Sequence, residues 1–212
     1  SASGLRIYTR SVSTWTNTYS AGTLNLSKLS CSRDTVAYND TTATYGAIKF
    51  VNTSGTLQGT ITGTVGNPIG SLISLSELGS IIATSNSTYL TVYQSVSPYN
   101  ILYTMRLPFT IAYLYLNKTA SGYPSLLVYG SPNNRMYFIN ITWSGSVPIF
   151  MPQSLDTSLS PPTTLTFGSQ TIGSMSCYEN RVALGYPGGN GDTGYGYMFP
   201  MTNSSTSTAS SA

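Results

Sequence analysis

Short runs in which apolar, β-branched or aromatic residues alternate with polar ones recur along the whole chain, and Gly, Pro, Asn and Ser interrupt them every several residues. Such runs predict strands at Leu5–Val12, Val36–Asn39, Ala47–Asn52, Leu57–Val65, Ser80–Thr84, Tyr89–Gln94, Ile101–Leu107, Thr110–Leu116, Ser125–Tyr129, Met136–Thr142, Thr163–Phe167, Val182–Tyr186 and Tyr195–Met198. No segment carries a capped apolar stripe at helical spacing, so the pattern predicts an all-β fold.

Two arrangements of these strands fit the pattern. A two-layer, immunoglobulin-like or pilin-like β-sandwich is the first. A small four-bladed β-propeller is the alternative, suggested by a faint internal repeat. Leu29-Ser30-Cys31-Ser32-Arg33-Asp34-Thr35-Val36-Ala37-Tyr38 resembles Met175-Ser176-Cys177-Tyr178-Glu179-Asn180-Arg181-Val182-Ala183-Leu184, and Leu75–Thr84 is a looser copy. In the propeller reading Leu5–Val12 completes the last blade. Residues 1–20 read as a strand followed by a polar linker, 21–201 as the globular region, and 202–212 as a Ser/Thr-rich tail. The prolines of Met151–Pro162 mark a candidate break between subdomains.

Composition sharpens this picture. Only 7% of the 212 residues are charged, against roughly a quarter in ordinary soluble proteins. With 40% apolar residues and 17 tyrosines the chain is nevertheless a folding one, its polarity supplied by groups that hydrogen-bond without titrating. Histidine is absent, and the six acids are Asp34, Asp40, Glu77, Asp156, Glu179 and Asp192. Few carboxylates have to be protonated in acid, which suits a harsh exterior. The nine Lys and Arg are scattered, so neither a nucleic-acid groove nor a polybasic membrane patch is expected. No apolar run approaches the ~20 residues that span a bilayer, so no membrane insertion is expected. The chain opens at Ser1 without Met, basic region or apolar region, as an exported protein does after signal-peptide removal, and the expectation is a secreted protein of the extracellular cell surface. Cys31 and Cys177 then form one disulfide, whose long loop is worth ~5 kcal/mol in the chain-entropy model, or stand as two free thiols.

Asn-X-Ser/Thr sequons stand at Asn25, Asn39, Asn52, Asn86, Asn117, Asn140 and Asn203, spread over the whole length. N-glycans at several of them would solubilise a surface poor in charge.

Catalytic chemistry finds little support. Without histidine, Ser-His-Asp and Cys-His mechanisms are excluded and the commonest transition-metal ligand is missing. No phosphate-cradling glycine loop opens a helix. Asp192-Thr193-Gly194 matches the aspartic-protease tripeptide, but a second copy is absent and a glycine loop, Pro187–Gly191, precedes it instead of an apolar strand. That loop also matches a calcium-binding glycine repeat, with Asp192 one position early and a single occurrence. An all-β acid peptidase pairing a glutamine with a glutamate has its residue types in Gln58, Gln94, Gln153, Gln170, Glu77 and Glu179, with no motif to pair them. The expectation is a protein that is not an enzyme and holds no cofactor beyond covalent glycans. Clustered tyrosines such as Tyr113/Tyr115 and Tyr195/Tyr197 are able to stack on sugars, or simply to cover sheet surface where charge is avoided.

In the first strand Leu5, Ile7 and Thr9 alternate with Arg6, Tyr8 and Arg10. A terminal strand of this kind either closes its own domain or fills the groove of a neighbouring copy by donor-strand complementation, and the second, repeated head to tail, gives a filament. The charge-poor, sequon-rich, tyrosine-rich chain with this N-terminal strand resembles, in composition and organisation over its whole length, the subunits of the thread filaments of Sulfolobales, surface fibres of archaeal acidophiles. The resemblance implies a pilin-like sandwich, N-glycosylation and a homopolymer joined through Leu5, Ile7 and Thr9, serving adhesion or cell-cell contact. A monomeric surface binding module built on a propeller is the second expectation, and an acid peptidase the third.

Overall fold

A computed structural model of the chain describes residues 4–20, 28–77, 79–118, 124–131, 135–144, 147–154, 173–178, 181–186, 194–200 and 210–211, and the regular elements among them are strands. The chain divides into two compact units, Ser1–Pro108 and Phe109–Ala212.

In the first unit a hairpin of β1 (Arg6–Ser11) and β2 (Thr14–Ser20) precedes two four-stranded antiparallel sheets. One is built from β3 (Leu29–Cys31), β4 (Thr35–Asp40), β5 (Ala47–Asn52) and β6 (Leu57–Thr62); the other from β7 (Leu72–Leu75), β8 (Ile81–Asn86), β9 (Tyr89–Gln94) and β10 (Ile101–Arg106). The second unit repeats the plan with β11 (Thr110–Lys118), β12 (Pro124–Ser131), β13 (Arg135–Ser144) and β14 (Val147–Ser154), then β15 (Ser174–Tyr178), β16 (Arg181–Tyr186), β17 (Tyr195–Pro200) and β18 (Ser210–Ser211).

The fold is all-β, as the pattern predicts. In each of the four sheets the strands are paired in chain order, the up-and-down meander of a propeller blade. A sandwich of immunoglobulin type needs Greek-key connections that pass between sheets. None occurs among the described residues, where the propeller alternative is the one that matches the topology. The internal repeat has a structural meaning as well. Its three copies are the first hairpins of three sheets: β3–β4 with Cys31 opposite Val36, β15–β16 with Cys177 opposite Val182, and β7–β8 with Leu75 opposite Ile82.

Burial follows the position of a strand in its meander. The inner strands β8 and β9 are buried almost end to end and the first strand β7 at three of its four residues, whereas the last strands β6 and β10 are largely exposed. Strands covered on both faces read as continuous apolar runs, and strands at an edge read as mixed ones. In the first unit Ile48 and Phe50 of β5 meet Ile73, Leu75, Ile82 and Tyr93 of the second sheet in one apolar core. Tyr99, in the turn between β9 and β10, stacks on Phe50 with ring centroids 5.5 Å apart and 11° between planes. It crosses β6 at Gly59, where a Cβ would lie 1.7 Å from the phenol oxygen, so glycine is what lets the ring reach Phe50. In the second unit Leu126 and Val128 of β12 and Ile139 and Ile141 of β13 are fully buried.

Two readings of the chain's organisation need correction. Ser11–Ser20 is not a linker. Its Thr14 and Thr16 alternate with Trp15 and Asn17, and a register shift at Thr18 sets Tyr19 opposite Ile7, making β2, the partner of β1, so β1 completes a hairpin of its own and not the last sheet. In that last sheet the outer strand is β18, paired to Tyr197 and Met198. The boundary between units falls at Pro108, while Met151–Ser154 of the proline-rich stretch belong to β14. Residues 155–162, the predicted strand Thr163–Phe167 and residues 202–209 of the tail lie outside the described residues.

Candidate functional site

The alternation of β1 gives its hairpin two different faces. On the inner face Leu5 is buried against Tyr38 and Val51, with Ile7, Tyr19 and Val36 packed around them. The hydroxyls of Tyr19 and Tyr38 lie 3.3 Å apart, and burial first, then the Tyr19 contact, pushes the Tyr38 phenol well above its ordinary range. Thr9 is exposed; its hydroxyl donates to the Thr53 carbonyl at 3.4 Å and lies 3.3 Å from the Thr18 hydroxyl. Thr18 reaches the same carbonyl at 3.1 Å. The hairpin thus rests on the β5–β6 turn, which admits it because Gly55, at φ +85°, has no Cβ; one there would lie 2.2 Å from the Thr18 carbonyl oxygen. Of the three residues expected to be donated, Leu5 and Ile7 pack into the core of their own chain, and Thr9 makes polar contacts at the surface.

The outer face carries Arg6, Tyr8 and Arg10 of β1 beside Trp15 and Asn17 of β2. Tyr8 is 47% exposed and Trp15 65%. Arg10 and Trp15 are directly opposed, with the guanidinium carbon 5.9 Å from the ring centroid, a cation–π contact that holds both side chains over the same spot. Sequence reasoning found the alternation of β1 but missed Trp15. Its signal was the matching alternation of Thr14–Asn17, legible only once β2 is recognised as a partner.

A second feature is polar. Asp40, 5% exposed at the end of β4, receives the Lys49 ammonium at 2.6 Å, the Thr42 hydroxyl at 2.6 Å and the Thr42 backbone N–H at 3.0 Å. Lys49 stands on β5 diagonally across from Asp40, since Asp40 opposes Ala47. The Lys49 hydrogen bond, followed by that from Thr42, lowers the carboxyl to about 2. Asn39, Asp40, Gly46, Ile69 and Gly70 border a cleft of about 290 Å³. A carboxylate so fully engaged is not poised to move protons. Its role is to tie β4 to β5.

The sequons divide by environment. Asn39 is buried, its Nδ2 donating to the Gly70 carbonyl at 2.7 Å and its Oδ1 accepting from the Lys28 N–H at 2.8 Å. Glycosylation needs that same nitrogen at the surface, so Asn39 is expected to stay unmodified in the folded protein. Glycopeptide mapping checks this, and a glycan found on Asn39 would mean that β4 is placed differently. Asn52 and Asn86 end β5 and β8 beside tight turns and are partly exposed. Asn117 and Asn140 lie on β11 and β13, with side chains outside the described set; Asn25 and Asn203 lie outside it altogether.

Cys31 is an exposed free thiol at the end of β3. Cys177 occupies the equivalent strand position in β15, and its side chain is not among those described, so the expected disulfide does not appear among the described residues. Glu77 is exposed in the turn after β7, where its backbone carbonyl accepts from the Arg33 N–H at 3.3 Å. Glu179, Gln170, Asp192 and the glycine loop before it lie outside the described residues. Among the described residues no three Cys, Asp or Glu side chains gather as a metal site requires.

No protein-family model matches the chain, and no curated protein matches it. Solved structures do. KlHsv2 with loop 6CD replaced by a Gly-Ser linker is similar at 10% identity and TM-score 0.56, covering 87% of this chain and 57% of that one. A TolB from Agrobacterium tumefaciens is similar at 8% identity and TM-score 0.52, covering 92% of this chain and 64% of that one. The Cps50 (Swd1) β-propeller domain from Myceliophteria thermophila aligns at 11% identity and TM-score 0.48, with 87% and 59% covered. The chain therefore spans about three fifths of the length of the structures it resembles. Their likeness is one of fold, and it is a likeness to β-propellers.

Proposed function

We propose that this chain is an extracellular, N-glycosylated surface protein that works by binding, without catalysis and without a cofactor. The observation that carries this reading is the two-faced hairpin: Leu5 and Ile7 anchor it to Tyr38 and Val51, and the anchorage turns Arg6, Tyr8, Arg10 and Trp15 outward on a braced platform. A mobile tail would lose more entropy on binding than such a platform does. The likeness to propellers supports a scaffold whose edges and loops present contact residues. The scarcity of charge and the spread of sequons support an exterior setting.

A thread-like filament subunit is the second reading, and the inner face favours it. Leu5 and Ile7 dock through side chains, so the same contact made by a neighbour's hairpin would join copies without new chemistry. Size-exclusion chromatography and electron microscopy of the native protein and of a variant lacking residues 1–20 separate the two. Monomers in both preparations support the binding module. Fibres that disappear with the deletion overturn it in favour of the filament.

A further inference from the structure

We infer that the outer face of the N-terminal hairpin docks a uronate-bearing polysaccharide, an inference that rests on the binding-module reading. The face combines two chemistries that such a polymer presents together. Trp15, 65% exposed, offers the flat apolar area on which the C–H face of a sugar ring stacks, and Tyr8, two residues before Arg10 on the same side of β1, extends it. Arg6 and Arg10 flank Tyr8, roughly 13 Å apart at the rise of an antiparallel strand, and each presents a planar fork that matches a planar carboxylate in two parallel hydrogen bonds. The cation–π contact places the Arg10 guanidinium over one face of the Trp15 ring, which leaves the other for a sugar, so the charged and stacking elements meet one stretch of ligand together.

Charge selects the partner. Residues 4–20 contain two arginines and no acid, so the face attracts anions without an internal competitor. A second copy of the chain is a poor complement, because the whole sequence has six carboxylates, of which Asp40 is already held by Lys49. Nucleic acid is a poor one too. Affinity for a duplex grows with the number of phosphates neutralised, and two arginines on a chain with no basic run neutralise few. A polyuronate, with a carboxylate on each ring and sugar faces between, uses both halves of the site.

The test is surface plasmon resonance of the whole protein on polygalacturonate, on its methyl-esterified form, on neutral dextran, on dextran sulfate and on duplex DNA. Polygalacturonate should bind best. R6A/R10A should weaken it by about tenfold or more, through the loss of two charge-assisted pairs, and methyl esterification should do the same to the wild type. W15A, which removes an exposed ring, should weaken it about fivefold while leaving the thermal midpoint unchanged. R6K/R10K keeps the charge but not the fork, and should recover only part of the affinity. Equal retention on dextran sulfate or DNA, full recovery by the lysine variant, or no binding to polygalacturonate would overturn the inference. Polygalacturonate binding that survives R6A/R10A and W15A would also overturn it, while leaving the binding-module reading intact. That reading falls separately, on fibres that need residues 1–20.

Discussion

Phe50→Ala should destabilise the first unit by about 3–5 kcal/mol, the usual cost of deleting a fully buried aromatic ring. Phe50 is 1% exposed and sits where the two sheets of that unit meet, among Ile48, Ile73, Ile82 and Tyr93. Tyr99 cannot follow the missing ring inward without leaving its place across Gly59 and its hydrogen bond to the Gln58 carbonyl at 3.2 Å. The cavity therefore stays open, which puts the cost at the upper end. Urea unfolding followed by tyrosine fluorescence measures it. A Tyr99→Leu variant and the double mutant should show a coupling of about 1 kcal/mol, as stacked rings do. A loss below about 1 kcal/mol for Phe50→Ala would mean that the two sheets do not share this core.

The same burial pattern explains what the sequence disclosed. Ala47–Asn52 and Tyr89–Gln94 are predicted to the residue and match β5 and β9, because both are inner strands whose apolar runs are bounded by turn residues. The strands that escaped are outer or nearly polar: β2, with four exposed residues before its first half-buried one; β3, of three residues, and β18, of two; and β7 and β15, each the first strand of its sheet and only four and five residues long. β14 escaped for another reason. Pro148 and Pro152 argue against a central strand, but β14 is the last of its sheet, and an outer strand tolerates prolines. The repeat around Cys31 and Cys177 was legible as sequence, yet its meaning, a first hairpin in each sheet, needed pairings between strands that no local pattern encodes. At the hairpin the sequence told which residues of β1 share a face, and left open what that face would meet. Its inner face meets Tyr38 and Val51, more than thirty residues on. Burial of the Asn39 amide was equally hidden, since the sequon is local and Gly70 is not.

Acid should weaken the protein only below about pH 4, and through Asp40 by about 2 kcal/mol. Its carboxyl is lowered from 3.8 to about 2 by the hydrogen bond from Lys49 and then by Thr42. A depressed folded-state value contributes stability that is fully present above the unfolded value, near 3.8, and is lost as pH falls through about 2. A difference of nearly two pH units corresponds to about 2 kcal/mol. Lys49→Met removes the partner and leaves a carboxylate that is 5% exposed with only Thr42 to hold it. Breaking a fully buried pair costs more, but Lys49 is 30% exposed, so about 2 kcal/mol is expected at pH 7. The variant should also lose part of the acid dependence: with the Lys49 contribution gone and only the Thr42 hydrogen bonds left to lower the carboxyl against its burial, its stability should fall less than that of the wild type between pH 4 and pH 2. Urea midpoints of both proteins at pH 7, 4 and 2 decide the matter. With six carboxylates in the chain, one strongly depressed acid is visible against the rest. A wild-type stability that already falls between pH 7 and pH 4 would place the loss above the range in which Asp40 titrates, and so assign acid sensitivity to other groups.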